Sequence, residues 1–130
     1  MPWEPGDFGP YAEDPSPDPT GRVLEAVRAE RGRQEKLHPH PPGSDSSPDE
    51  AVAVAARRND AQLLAFHREQ DEGERLRGEV NWRRTMLEEV YEALSEVGVD
   101  EARLRVELVQ VAAVAVRWIE ALDRRKEGAS

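Results

Sequence analysis

Apolar residues along this chain recur at steps of three and four in separate stretches, and strict alternation is absent. That period belongs to α-helix rather than strand, and hairpin dipeptides such as Asn-Gly do not occur. Val23, Leu24 and Val27 share one face of a short first helix that runs to about Lys36, with Gly32 weakening its second half. The run His38-Pro39-His40-Pro41-Pro42-Gly43 then forces a flexible, extended loop over residues 38–47, because each proline disfavours helix in the residue before it. A capping box opens the second helix, with Ser47 as N-cap, Pro48 at the first helical position and Glu50 reaching back. This helix is predicted to run to about Glu72, with Val52, Ala55, Ala56, Leu63 and Phe66 on its apolar face, and Gly73 and Gly78 bracket a break. A third helix starts near Asn81 or Trp82 and ends before Gly98, lined by Leu87, Val90, Leu94 and Val97. The fourth begins after Asp100, a good N-cap, and continues to about Arg125.

The fourth helix is apolar almost all round from Leu104 to Ile119, and a helix of that kind is buried on most sides. The other predicted helices are too few and too weakly amphipathic to cover it. The expected architecture is therefore an all-α antiparallel bundle of about four helices, completed by oligomerisation, most simply as a homodimer or homotetramer. Arg103, Glu107, Gln110 and Arg117 form one polar stripe on this helix, and such a stripe must face a partner charge, a cavity or water.

Composition narrows the picture. With 130 residues the chain holds one domain, expected over residues 21–126. Residues 1–20 carry six of the ten prolines with five acids and no base, and read as a disordered acidic tail. The net charge of −9 argues against binding to DNA or RNA polymers, which needs a basic face. It leaves room for small phosphorylated ligands, because a metal bridges two anions. The absence of cysteine excludes disulfides, zinc thiolates and thiol nucleophiles, and fits a cytoplasmic location. The first residues are neither basic nor apolar, so no secretory signal is read there. The longest apolar run, Val111 to Val116, is far below the roughly 20 residues needed to span a membrane.

Candidate chemistry sits on the last two helices. Glu88, Glu89 and Glu92 lie at three- and four-residue spacings, so they are surface neighbours that repel one another unless a cation joins them. Glu107 and Gln110 repeat the three-residue step on the fourth helix. Because Gly98-Val99-Asp100 is a short connection, the two helices should lie antiparallel, and the two pairs can converge on one divalent cation. The bland alternative is that Glu88, Glu89, Glu92 and Glu96 are the solvated side of an amphipathic helix. Glu107 weighs against it, since an acid in a long apolar helix costs stability unless paired or ligating, although Arg103 four residues earlier offers a structural partner.

The same residues resemble a family pattern. All-α NTP pyrophosphohydrolases, including the MazG and dimeric dUTPase groups, carry E-E-x-x-E followed after a variable gap by E-x-x-D. Glu88-Glu89-Val90-Tyr91-Glu92 matches the first half, and after fourteen residues Glu107-Leu108-Val109-Gln110 matches the second, with Gln110 in place of the aspartate. The stretches N-W-R-R-T-M-L-E-E-V-Y-E-A-L and R-L-R-V-E-L-V-Q-V-A-A-V-A-V-R-W-I-E-A-L-D-R-R look like MazG-like proteins of actinobacteria and their phages. Glu30-Arg31-Gly32-Arg33-Gln34-Glu35-Lys36 resembles their first helix, where tryptophan commonly follows the lysine and Leu37 stands here.

The resemblance covers about residues 22–125 and implies hydrolysis of a nucleoside triphosphate to the monophosphate and pyrophosphate by an oligomer. Carried over by position, Glu89, Glu92 and Glu107 would ligate Mg²⁺ (or Mn²⁺), with Glu88 a ligand or water-orienting base. Gln110 offers an amide oxygen but no charge. On this reading Lys36 and Arg103 would meet phosphate oxygens, and Gln34 and Trp82 the base or sugar, though Trp82 also reads as a core anchor at the start of the third helix. The competing expectation is a catalytically degenerate domain that binds nucleotide or a protein partner without turnover.

Overall fold

The computed structural model describes residues 18–129 as four helices: α1 (Pro19–Leu37), α2 (Glu50–Leu76), α3 (Trp82–Leu94) and α4 (Glu101–Ala129). No strand occurs among the described residues, so the all-α expectation holds. Most of the expected acidic tail, residues 1–17, lies outside them. Its boundary at residue 20 is corrected, because Asp18 caps α1 by accepting from the Gly21 N–H at 2.6 Å and Pro19 occupies the first turn. The first helix therefore begins at Pro19. At the C-terminal end, α4 runs past the expected Arg125 and Lys126 as far as Ala129.

The start of α2 is corrected as well. Asp49, not Ser47, is the N-cap: its Oδ1 accepts from the N–H groups of Ala51 and Val52 at 3.0 and 3.2 Å. Ser47 Oγ instead accepts from the Asp49 N–H at 3.1 Å, and Pro48 stays outside the helix. An ionised carboxylate is a stronger acceptor for exposed amides than a hydroxyl, so the cap moves to it. Gly73 does not break α2, which continues to Leu76. The chain turns at Gly78, whose φ of 70° is the left-handed conformation that ends helices cheaply only at glycine.

The helices pack in series, with α2 on α3, α3 on α4 and α4 on α1. Each packed pair is antiparallel. Glu74 meets Arg84 and His67 meets Tyr91 between α2 and α3. Trp82 meets Arg117 between α3 and α4. The Thr20 hydroxyl donates to Glu120 at the far end of α4, while Asp45, beyond α1, lies beside Leu104 near its start. No contact joins α1 to α2 or α3.

Serial packing leaves a thin core. Val23, Ala53, Leu64, Ala93 and Val114 are its buried apolar residues. The inward face of α2 differs from the expected one. Ala53, Leu64, His67 and Asp71 are buried, whereas Val52 and Phe66, which sequence placed on the packing face, are half exposed. The reason is the neighbour: α3 offers Arg84 and Glu88 to α2, so the polar side of α2 turns inward to meet them. Similarly, α4 is flanked only by α3 and α1, and Val106, Leu108, Val109, Ile119 and Leu122 remain open to solvent in the single chain. No described helix is long and apolar enough to cross a membrane.

Ala93, only 1 % exposed, is the most enclosed of these core residues. Ala93→Leu should lower stability by about 1–3 kcal/mol through overpacking, read as a drop in thermal midpoint, while Ala112→Leu on the open face of α4 should leave the midpoint nearly unchanged.

Candidate metal centre

Adjacent positions on a helix point about 100° apart, so α3 presents different carboxylates to its two neighbours. Towards α4 it turns Glu89 and Glu92. One oxygen from each, together with one from Glu107 of α4, fall within 4.8 Å of one another, and all three side chains are half-buried. Like charges at that separation repel. Burial and the charges of Glu92 and Glu107 together push the Glu89 carboxyl above the ordinary range. Arg68 of α2 reaches Glu92 at 3.6 Å and offsets part of the repulsion. Arg103 does not: it forms no ion pair with Glu107, and its backbone N–H caps α4 on Asp100 at 3.0 Å.

Gln110 completes the group, and its amide has two orientations with opposite meanings. With the carbonyl turned inward, its oxygen faces only acceptors, which is favourable only around a cation. With the amide reversed, its NH₂ donates to Glu107 Oε2 at 3.0 Å and Glu89 Oε2 at 3.1 Å, and the residue cross-links the acids without one. The donor set of three carboxylates and one amide oxygen is the hard-oxygen chemistry that Mg²⁺ takes.

Glu88 does not join this cluster; it faces α2. There it meets Asp71, which is 6 % exposed and escaped the sequence reading. Asp71 Oδ2 accepts from Arg75 Nε at 2.6 Å, while its buried Oδ1 has no donor unless Glu88 carries a proton. Burial alone would raise Asp71, but hydrogen bonds from Arg75 and Glu88 outweigh it and hold the carboxyl low. Glu88 is the member of the pair whose carboxyl rises: burial, the hydrogen bond and charge of Asp71, and the charge of Glu92 push it up to about 7. The signal for this pair was present in the heptad-like spacing of His67, Asp71 and Glu74, which marks one face. It was masked because that face is polar.

Beside the acid pair, Arg84 ties α2 to α3. Its Nη1 donates to His67 Nδ1 at 2.6 Å and its Nε faces Glu74 at 3.3 Å, while the His67 ring stacks on Tyr91 at 5.2 Å. Burial and the charges of Arg84 and Arg83 hold His67 below its ordinary pKa, so it serves as a neutral acceptor, in line with a structural role.

The remaining site candidates are spread out. The Trp82 ring, half-buried at the start of α3, lies under the Arg117 guanidinium at 5.0 Å. Gln34 and Lys36 are exposed on α1 and line grooves that contain none of the clustered acids. No protein-family model, curated protein or solved structure matches the chain.

The Glu88 proton gives a pH test. Its folded pKa lies above the ordinary 4.5, so ionising it opposes folding; the penalty is absent below about 4.5 and complete above about 7. Glu88→Gln, which keeps a donor for Asp71, should raise the thermal midpoint by roughly 3–6 °C at pH 8 in metal-free buffer. At pH 4 it should change little.

Proposed function

We propose that the chain is a Mg²⁺-dependent nucleoside triphosphate pyrophosphohydrolase that works as a homo-oligomer. The observation that carries this reading is the convergence of Glu89, Glu92 and Glu107 oxygens within 4.8 Å from two helices. The resemblance of Glu88–Glu92 and Glu107–Gln110 to the MazG-like pattern agrees with it. Mg²⁺ held there supplies charge neutralisation for the triphosphate and polarises its oxygens. Glu89, Glu92 and Glu107 would hold it, and the Gln110 amide oxygen would add a neutral donor. Glu89, which lies in the cluster and whose carboxyl is pushed above the ordinary range, takes the proton of the attacking water; Glu88, turned to Asp71, does not reach it. The water oxygen bonds to the α-phosphorus, the bridging P–O bond breaks, and pyrophosphate leaves.

Arg103, one turn from Glu107 on the polar stripe of α4, serves the phosphate oxygens. Gln34 and Lys36, on the helix that packs against α4, serve the substrate on the strength of the resemblance. The open apolar face of α4 supports assembly on physical grounds, because five large apolar side chains there gain by leaving water.

Purified protein with MgCl₂ and a panel of NTPs and dNTPs should release pyrophosphate. Glu92→Ala and Glu107→Ala should each cut the rate by about a hundredfold or more with helix content retained. Silence of the wild type across the panel would defeat the enzymatic reading. Light scattering should give a dimer or tetramer mass for the wild type and a monomer mass for Val109→Glu.

One observation favours a second reading, a degenerate domain that binds without turnover: Gln110 can satisfy Glu107 and Glu89 with no cation present. Metal binding separates the two. Mg²⁺ at a hundredfold excess over its Kd should stabilise a working centre by about 2.7 kcal/mol, more at lower concentrations in Gln110→Asp, and not at all in a lost one.

A further inference from the structure

At the N-terminal end of α3, the end of α2, the following turn and α4 enclose a cavity of about 460 Å³ lined by Arg75, Val80, Asn81, Trp82, Thr85 and Arg117. No carboxylate lines it, although the chain carries 27 acids against 18 lysines and arginines. A cavity at the other end of the seam, by contrast, collects Asp45, Glu96 and Glu101.

Both guanidinium groups here are held in place by contacts that leave donors free. Arg75 gives its Nε to Asp71 and keeps its terminal NH₂ groups. Arg117 lies over the Trp82 ring at 5.0 Å, a stack that uses the face of the guanidinium and leaves its in-plane N–H donors available. No carboxylate pairs with Arg117 among the described residues. Two positioned forks on one volume, one of them paired through its Nε to Asp71 and the other facing no carboxylate, match an oxyanion that accepts from their remaining N–H groups.

We infer that this cavity binds a phosphate group. It is separate from the acidic cluster. Trp82 lies seven residues before Glu89 on α3, and Arg117 seven after Gln110 on α4, so the two sites sit about 10 Å apart along one seam. Neither the metal nor turnover is required for the binding. The phosphate comes either as a free inorganic anion or as part of a nucleotide, and the chemistry at the arginines is the same.

The test is calorimetric titration of the full chain in EDTA with inorganic phosphate, pyrophosphate and AMP at fixed ionic strength. Saturable binding of at least one is expected, weakened roughly tenfold or more in Arg117→Gln and in Arg75→Gln. Arg117→Lys, which keeps the charge and loses the fork, should fall between. Glu92→Gln should bind like the wild type, so failure of the hydrolase reading does not touch this result. Tighter binding of AMP than of the inorganic anions assigns the site to a nucleotide; equal or weaker binding assigns it to the free anion. Absence of saturable binding, or equal affinity in the wild type and both glutamine variants, overturns the inference.

Discussion

The arrangement depends on one constraint: the carboxylates of a thirteen-residue helix must be accommodated on both of its flanks. α3 lies between α2 and α4 and turns acids to each. Towards α2, Glu88 meets Asp71 and the conflict is resolved by a proton, with Arg75 holding the other carboxylate. Towards α4, Glu89 and Glu92 meet Glu107, where the resolution is Arg68 on one side and either a cation or the Gln110 amide in the middle. Proton, guanidinium, amide and metal are four answers to the same electrostatic problem. The Arg68 guanidinium is in place, and a proton on one flank and the Gln110 amide or a cation on the other can supply the rest, which is how so acidic an element stays half-buried.

This polar design has a structural counterpart. Much of the interior that would be aliphatic in an ordinary bundle is given to His67, Asp71, Glu74, Arg84 and Glu88. The apolar core shrinks to a few small or branched residues, among them Ala53, Ala93 and Val114. Small residues let helices approach closely enough for charged side chains to meet across the seams. The aliphatic surface is displaced outward instead, to Val106, Val109 and their neighbours on α4. The same trade puts chemistry inside the chain and cohesion on its outside.

The seam between α3 and α4 is also graded along its length. Its middle, at Glu92, Glu89, Glu107 and Gln110, is acidic; the end at Trp82 and Arg117 is cationic and aromatic. The antiparallel register keeps both on the same stripe of each helix. On the two proposals made above, a phosphorylated ligand would meet opposite charge directly at one place and through a cation at the other, giving a chain of net charge −9 two distinct ways to hold an anion.

Helical periodicity, the breaks at Pro39–Gly43 and Gly78, the Asp100 cap and the paired acids of the last two helices are local properties, and the sequence by itself determined them. The convergence of Glu89 and Glu92 with Glu107 was legible too, because a short connection forces adjacent helices antiparallel. What only the tertiary structure decided was which face each helix turns to which neighbour. Val52 and Phe66 carry the apolar signal of α2, yet Asp71 and His67 face inward, since their partners on α3 are polar. Glu88 and Glu89 are adjacent and alike in sequence, but a rotation of about 100° sends one to Asp71 and the other to the carboxylate cluster with Glu92 and Glu107. Composition and spacing record what a helix carries; the energy of burying a charge depends on the group across the interface, which belongs to a distant part of the chain.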